Sequence, residues 1–162
     1  MCIANGENAS HGKGITLNSA ETLNMCGVDV ITLGNHWTRR EMTTVFDDFK
    51  DMVRPANFPK SMPGEGSLVF DCGRARVGVI NVQGRIYLDP LDSPFEAADK
   101  EIAKIKDEFC TCFCGCHKIP PKLWKILYKI YHTEKIQSRK NRQFKPPVLK
   151  FILKSRHKVF RS

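Results

Sequence analysis

No run of apolar residues in this chain approaches the roughly 18 that a membrane-spanning helix needs. The first eight residues contain no basic residue and no long apolar stretch, so we expect no secretory leader there. Seven cysteines without an export signal predict reduced thiols and not a disulfide framework. These absences favour a soluble cytoplasmic protein, and 41% hydrophobic residues among 162 exclude a wholly disordered chain.

Acidic residues are almost missing from the last third of the chain. Residues 1–109 contain 12 Lys and Arg against 16 Asp and Glu, whereas residues 110–162 contain 14 Lys and Arg and a single acid, Glu134. So abrupt a change of charge predicts a boundary near Phe109 between an acidic domain and a basic tail. Four of the seven cysteines follow that boundary directly, at Cys110, Cys112, Cys114 and Cys116.

The first 109 residues alternate between strand-like and helix-like segments. Asn18 or Ser19 is expected to cap the first helix, with Glu21 in a capping box and Gly27 as its stop. Ser93 is expected to cap the last helix, with a proline at its first position. In chain order we predict a strand at 2–5, a helix ending near 25, a strand at 28–33, a helix at 39–51, a hairpin of 67–71 and 76–82, and a helix from 94 to about 109.

This order of elements is typical of a layered α/β domain. Polar side chains follow its first two strands, with Glu7 and Asn8 after the first and Asn35 and His36 after the second. Ligands of α/β proteins collect beyond the carboxyl ends of strands, and these donor types suit Mn²⁺, Mg²⁺ or Fe²⁺. Two such ions can hold a phosphate. An ordinary pair of turns is the alternative, because Asn-Gly and Gly-Asn are common turn formers.

Five segments carry a resemblance to a known family. Residues 3–16 read I-A-N-G-E-N-A-S-H-G-K-G-I-T, and residues 27–36 read G-V-D-V-I-T-L-G-N-H. Residues 53–59 read V-R-P-A-N-F-P, residues 79–85 read V-I-N-V-Q-G-R, and residues 91–95 read L-D-S-P-F. In order and spacing these segments resemble the YmdB-like branch of the calcineurin-like metallophosphoesterases, and they cover about residues 2–109.

The resemblance implies a partial α/β sandwich of the metallophosphoesterase kind, with a layered mixed sheet and flanking helices. It also implies a phosphodiesterase that acts on cyclic nucleotides such as 2′,3′-cyclic AMP, with two divalent Fe, Mn or Mg ions as cofactors. By matching motif, the metal ligands would be Glu7, Asn8 and Asn35. His36 would be the general acid that protonates the leaving oxygen.

Other polar residues in the matching segments have two interpretations. Each could hold an anionic substrate, or each could have a structural role. These residues are Arg54, Arg85, Asn57 and Asn81. For His11 and Lys13, which lie in a glycine-rich loop, loop structure is the favoured interpretation.

Parts of the family pattern are not matched. The family has an earlier strand with a metal-binding Gly-Asp, and later histidine segments that include Gly-Thr-His-Thr-His; the sequence contains neither. After Gly34-Asn35-His36 the chain reads Trp37-Thr38-Arg39, where the family usually reads Thr-Trp-Asp. The histidines of the tail have different surroundings, and the ligand roles are not assigned to them. We therefore expect a truncated copy with little or no activity.

The tail, residues 110–162, leaves three alternatives open. Its cysteine run could bind zinc or copper, although the alternating spacing is unlike that of a zinc module. Residues 118–162 could bind RNA or an anionic membrane, so a non-catalytic basic protein is the alternative to an enzyme. The favoured hypothesis is a tail read out of frame, because a one-nucleotide shift of residues 112–116 can encode Val-Phe-Val-Asp-Val.

Overall fold

The computed structural model describes residues 1–39, 42–73, 75–107, 111–117 and 148–151, the last two ranges as backbone. The chain contains both helices and strands, with parallel strands in each sheet, which confirms the α/β class. Among the described residues, no helix combines the length and the apolar character needed to cross a membrane. In chain order the elements are β1 (Ile3–Asn5), α1 (Leu17–Met25), β2 (Val30–Thr32), a 3₁₀ turn (Trp37–Arg39), α2 (Met42–Asp48), β3 (Met52–Val53), β4 (Ser67–Asp71), β5 (Arg76–Gln83), α3 (Pro94–Ile105), β6 (Thr111–His117) and β7 (Val148–Phe151).

Two sheets form the middle of the fold. The first has the order β1-β2-β3, and its strands are parallel. The second has the order β4-β5-β6-β7, in which β4 and β5 form the predicted antiparallel hairpin and the other pairs are parallel. β6 pairs along its whole length with residues 77–83 of β5, and His117 lies opposite Gln83 in this register.

The two sheets pack face to face. Val30 of β2, Val53 of β3 and Val79 of β5 are fully buried in one cluster, which joins the first sheet to the second. Ile31 lies on the opposite face of β2, because successive side chains of a strand alternate between faces. It belongs to a second cluster that α1 and α2 complete with Ala20, Val45 and Phe46.

Helix α3 covers the outer face of the second sheet. Leu68 and Phe70 of β4 pack against the cluster between the sheets, so Ser67 faces outward. The hydroxyl of Ser67 donates a hydrogen bond to the carboxylate of Glu101 in α3. The layers therefore run helix, sheet, sheet, helix, which confirms the predicted α/β sandwich.

Asn81 of β5 joins the two sheets through its side-chain amide. Its Nδ2 donates to the backbone oxygen of Leu33 at 2.6 Å and to that of Val53 at 3.1 Å. Asn81 is only 2% exposed. Removing the amide would therefore lose both bonds where water cannot replace them, although the carbonyl of Val53 would keep the backbone N–H of Leu33 at 3.0 Å.

The predicted cap of the first helix is wrong. The N-cap is Thr16, whose hydroxyl accepts a hydrogen bond from the backbone N–H of Ser19 at 3.4 Å. The hydroxyl of Ser10 accepts the backbone N–H of Thr16 at 2.9 Å and lies 2.8 Å from that of Ser19. This contact with the preceding loop fixes the start of the helix. Gly27 has a positive φ of 86° just after the helix, as its predicted role as a stop requires.

Two helix lengths also differ from the prediction. Where a helix over 39–51 is predicted, the 3₁₀ turn ends at Arg39, α2 covers only Met42–Asp48, and the chain is extended again at Met52. The backbone oxygen of Asp51 accepts from Ile31 N at 2.9 Å, so pairing with β2 ends the helical stretch. Helix α3 ends at Ile105, and Ser93 stands at its N-cap without a side-chain capping bond.

Asn81→Asp keeps the size of this side chain but removes both N–H donors. We expect a loss of about 2–4 kcal/mol in the free energy of unfolding, because two buried hydrogen bonds are lost and a carboxylate is placed beside the two carbonyls. Urea denaturation measures the loss. Thr22→Ala is the control, since it removes one exposed side-chain bond to the backbone oxygen of Asn18. Equal losses in the two variants would contradict the role assigned to Asn81.

Asp51 is exposed overall, but partial desolvation, and then the nearby charge of Asp29, raise the pKa of its carboxyl above the usual range. The ionised carboxylate therefore disfavours folding above that pKa. We expect Asp51→Asn to raise the melting temperature near neutral pH, with a gain that disappears as the pH falls below about 4. Melting curves across this pH range check the sign. Asp47→Asn, at an exposed position of α2, is the matched control for the removal of one negative charge.

Candidate functional site

The predicted site lies where β1 and β2 end. These two strands are parallel neighbours, so the residues that follow them emerge at the same edge of the sheet. The backbone N–H of Gly6 donates to Thr32 O at 2.9 Å, which holds the two exits together beyond the strands. The segment Glu7-Asn8 therefore faces the turn Gly34-Asn35-His36.

The structure brings three of the four predicted site residues into direct contact. The backbone N–H of His36 donates to Glu7 Oε1 at 3.3 Å, and His36 Nδ1 lies 3.7 Å from the same oxygen. His36 Nδ1 also lies 2.9 Å from Asn8 Oδ1. Asn35 is half-buried in the same turn. This arrangement provides a carboxylate, amide oxygens and an imidazole, while the ligand and acid roles stay predictions.

Gly34 makes room for the carboxylate of Glu7. Glu7 is 2% exposed, and a Cβ atom at position 34 would lie closer than 3.0 Å to three atoms of its carboxylate. A side chain at position 34 would therefore force this buried carboxylate to move. Sequence reasoning missed this role because the contact joins two turns that are distant in sequence.

Trp37 anchors the turn that carries His36. Its indole is 2% exposed and meets the rings of Phe46 and Phe58 edge-on, with centroids 5.8 and 5.4 Å away. The guanidinium of Arg54 lies 5.8 Å from the indole centroid. Whereas Trp37 is buried, the side chain of His36 is 32% exposed and can reach a bound molecule.

The structure gives Arg54 a structural role. Its guanidinium is buried and donates to the backbone oxygens of Pro55, Met62 and Pro63 at 2.9, 3.5 and 3.1 Å. Burial lowers the pKa of Arg54, although the charges of Glu65 and Glu101 oppose this effect. Because all three nitrogens of the guanidinium donate to backbone oxygens, Arg54 holds the proline-rich segment in place.

The remaining predicted candidates lie in loops or support them. Asn57 donates to the backbone oxygens of Gln83 and Asp92, so its role is structural, as is that of Asn81. Arg85 is exposed and donates to Leu91 O at 3.4 Å. Loop 6–16 is held by the hydroxyls of three residues, Ser10, Thr16 and Ser19, and it leaves His11 and Lys13 exposed.

The donors of the site fit a hard divalent ion in type. Such ions take carboxylate, amide and imidazole ligands, which are the groups of Glu7, Asn8, Asn35 and His36. Within the described ranges, no three His, Cys, Asp or Glu side chains come together as a metal-binding group. Among the residues that the structure describes, amide oxygens would therefore have to supply part of any coordination.

Gly34→Ala tests the close contact with Glu7. We expect it to lower the free energy of unfolding by about 1–3 kcal/mol, because the added methyl group displaces the buried carboxylate. The double variant Glu7→Ala with Gly34→Ala should lose less than the sum of the two single variants, since the clash disappears with the carboxylate. Denaturant unfolding of all four chains gives the coupling. Additive losses would mean that the two residues do not meet.

Comparison with known proteins agrees with this architecture. The family described as YmdB-like protein matches residues 1–118. A 2′,3′-cyclic-nucleotide 2′-phosphodiesterase of Bacillus subtilis is 48% identical over 103 residues, which cover 63% of this chain and 39% of that protein. The family match continues through β6, beyond the predicted boundary near Phe109, which stays a prediction.

Two solved structures share the fold. A phosphatase from Mycoplasma pneumoniae superposes with a TM-score of 0.68 at 31% identity, over 80% of this chain and 48% of the other. A hypothetical protein from Thermus thermophilus gives a TM-score of 0.65 at 34% identity, over 72% of this chain and 46% of the other. The chain thus spans less than half of each relative. Because the family match covers well over half of its residues, the chain belongs to the YmdB-like protein family.

Proposed function

We propose that this chain forms part of a phosphodiesterase site for cyclic nucleotides such as 2′,3′-cyclic AMP. The observation that carries the proposal is the contact of Glu7 and Asn8 with His36 at the ends of two parallel strands. The name of the Bacillus subtilis relative, a 2′,3′-cyclic-nucleotide 2′-phosphodiesterase, supports the choice of substrate.

Glu7, Asn8 and Asn35 would hold divalent ions, of which Fe, Mn and Mg are the candidates. Asn8 Oδ1 can accept a hydrogen bond from His36 and still face an ion, because an amide oxygen has two lone pairs. The buried carboxylate of Glu7 supplies the negative charge of the set. The chemistry that such ions supply is neutralisation of phosphoryl charge and a lower pKa for coordinated water.

His36 is the proposed general acid. Hydrolysis of the cyclic ester adds a water oxygen to phosphorus and breaks one P–O bond to the ribose, whose departing oxygen then needs a proton. When Nδ1 donates to Asn8 Oδ1, at 2.9 Å, the transferable proton is on Nε2 of the imidazolium. The bond from its backbone N–H to Glu7 fixes the residue that carries this ring.

We also propose that the activity of this chain is low. The described residues offer one carboxylate and one imidazole at the site, and the other donors are neutral amides. Neutral oxygen ligands bind divalent ions more weakly than carboxylates do, because they lack the charge. Weak retention of the ions would limit turnover.

The alternative function rests on the tail. Residues 118–162 would bind RNA or an anionic membrane through their basic charge. Except for the backbone of β7, this part of the chain lies outside the described residues, so the hypothesis stays a prediction. Salt-sensitive RNA binding that survives deletion of residues 1–109 would support it.

His36→Ala tests the proposed acid. We expect Mn²⁺-dependent hydrolysis of 2′,3′-cyclic AMP to fall by about 100-fold or more, because no group remains to protonate the leaving oxygen. Product release followed by chromatography measures the rate. The control is His11→Asn, at an exposed loop position with a φ of 52° that asparagine tolerates. Equal rates for wild type and His36→Ala would contradict the assignment.

A further inference from the structure

Two buried side-chain atoms among the described residues lack a hydrogen-bond partner, namely Trp37 Nε1 and Gln83 Oε1. The indole of Trp37 lies among aromatic rings and the guanidinium of Arg54, which explains its burial. Gln83 is different, because it is 1% exposed and its amide oxygen is a strong acceptor. A buried acceptor without a donor lowers stability, so its retention calls for a reason.

Gln83 lies at the level of the candidate site. Val79 of β5 lies in the same buried cluster as Val30 of β2. Two residues later in β5, Asn81 donates to the backbone oxygen of Leu33, three residues after Val30. β5 therefore advances in the same direction as β2. Gln83 is on the same face as Asn81 and about 6.6 Å nearer the end of the strand. That position is beyond the level of Leu33, the residue that precedes the turn of Gly34, Asn35 and His36.

The backbone of Gln83 is fixed from both sides. Its N–H donates to Asn57 Oδ1 and its carbonyl accepts from Asn57 Nδ2, each at 2.9 Å. Asn57 is itself 1% exposed. The side chain of Gln83 thus starts from a rigid position and keeps its place between the sheets.

We propose that Gln83 is a positioning residue of the cation site, and this inference rests on the proposed function. Its Oε1 accepts a hydrogen bond from a water molecule in the hydration shell of a divalent ion held by Glu7, Asn8 and Asn35. The water supplies the donor that the described residues do not provide, and the amide orients it. Groups of this kind, one step removed from the ion, change metal affinity by about 10- to 100-fold when they are mutated.

The test compares two variants of nearly equal size in the full chain. Gln83→Met removes the acceptor, and we expect its Mn²⁺ affinity, measured by calorimetry, to fall by about 10-fold or more. Gln83→Glu keeps an oxygen at this position and adds charge, so it should bind Mn²⁺ at least as tightly as wild type. In EDTA, Gln83→Glu should be the less stable of the two, because it buries a charge.

The results separate the possible failures. If wild type binds Mn²⁺ and both variants bind it as tightly as wild type does, Gln83 has only a structural role. The inference is then wrong, while the proposed function stands. If wild type does not bind Mn²⁺, the proposed cation site fails together with the inference. Weaker Mn²⁺ binding by Gln83→Met together with undiminished binding by Gln83→Glu would support the positioning role. Equal losses in the two variants would overturn it, because a packing defect does not depend on the acceptor.

Discussion

The geometry of this protein depends on one buried amide. Asn81 holds the carbonyl of Leu33, the last residue before the site turn, and the carbonyl of Val53 in the neighbouring strand. The valine cluster between the sheets stabilises their association but tolerates sliding, since apolar contacts have little direction. Hydrogen bonds do not tolerate sliding, because they require a defined distance and angle between donor and acceptor. The amide therefore sets where the second sheet stands relative to the turn that carries His36.

Much of the fold follows from local sequence. The β-branched run before Leu33 predicts a buried strand, and the hairpin of β4 and β5 has the predicted strand bounds to within one residue. The wrong predictions have tertiary causes. Thr16 becomes the cap through a hydroxyl in the preceding loop, and the two residues of β3 are extended because they pair with β2. Neither contact leaves a periodic signal in the sequence.

The site was predictable in outline because strand ends and motif residues coincide. Glu7, Asn8 and His36 emerge from adjacent parallel strands, which is enough to predict that they meet. Their supports were not predictable, since they depend on exact packing. From the sequence alone, an arginine in a matching motif could equally bind substrate or have a structural role. Only the three backbone carbonyls that accept from Arg54 show that its role is structural. Gln83 carried no signal, because its missing partner is visible only in three dimensions.

The fit of Glu7 against Gly34 also has a consequence for how related sequences can vary. The carboxylate occupies the volume that a side chain at position 34 would need. A sequence with a shorter acid at position 7 could accept alanine at position 34, whereas one that keeps glutamate would have to move its buried carboxylate to do so. The sizes of the residues at positions 7 and 34 are therefore coupled, and related chains should change the two positions together.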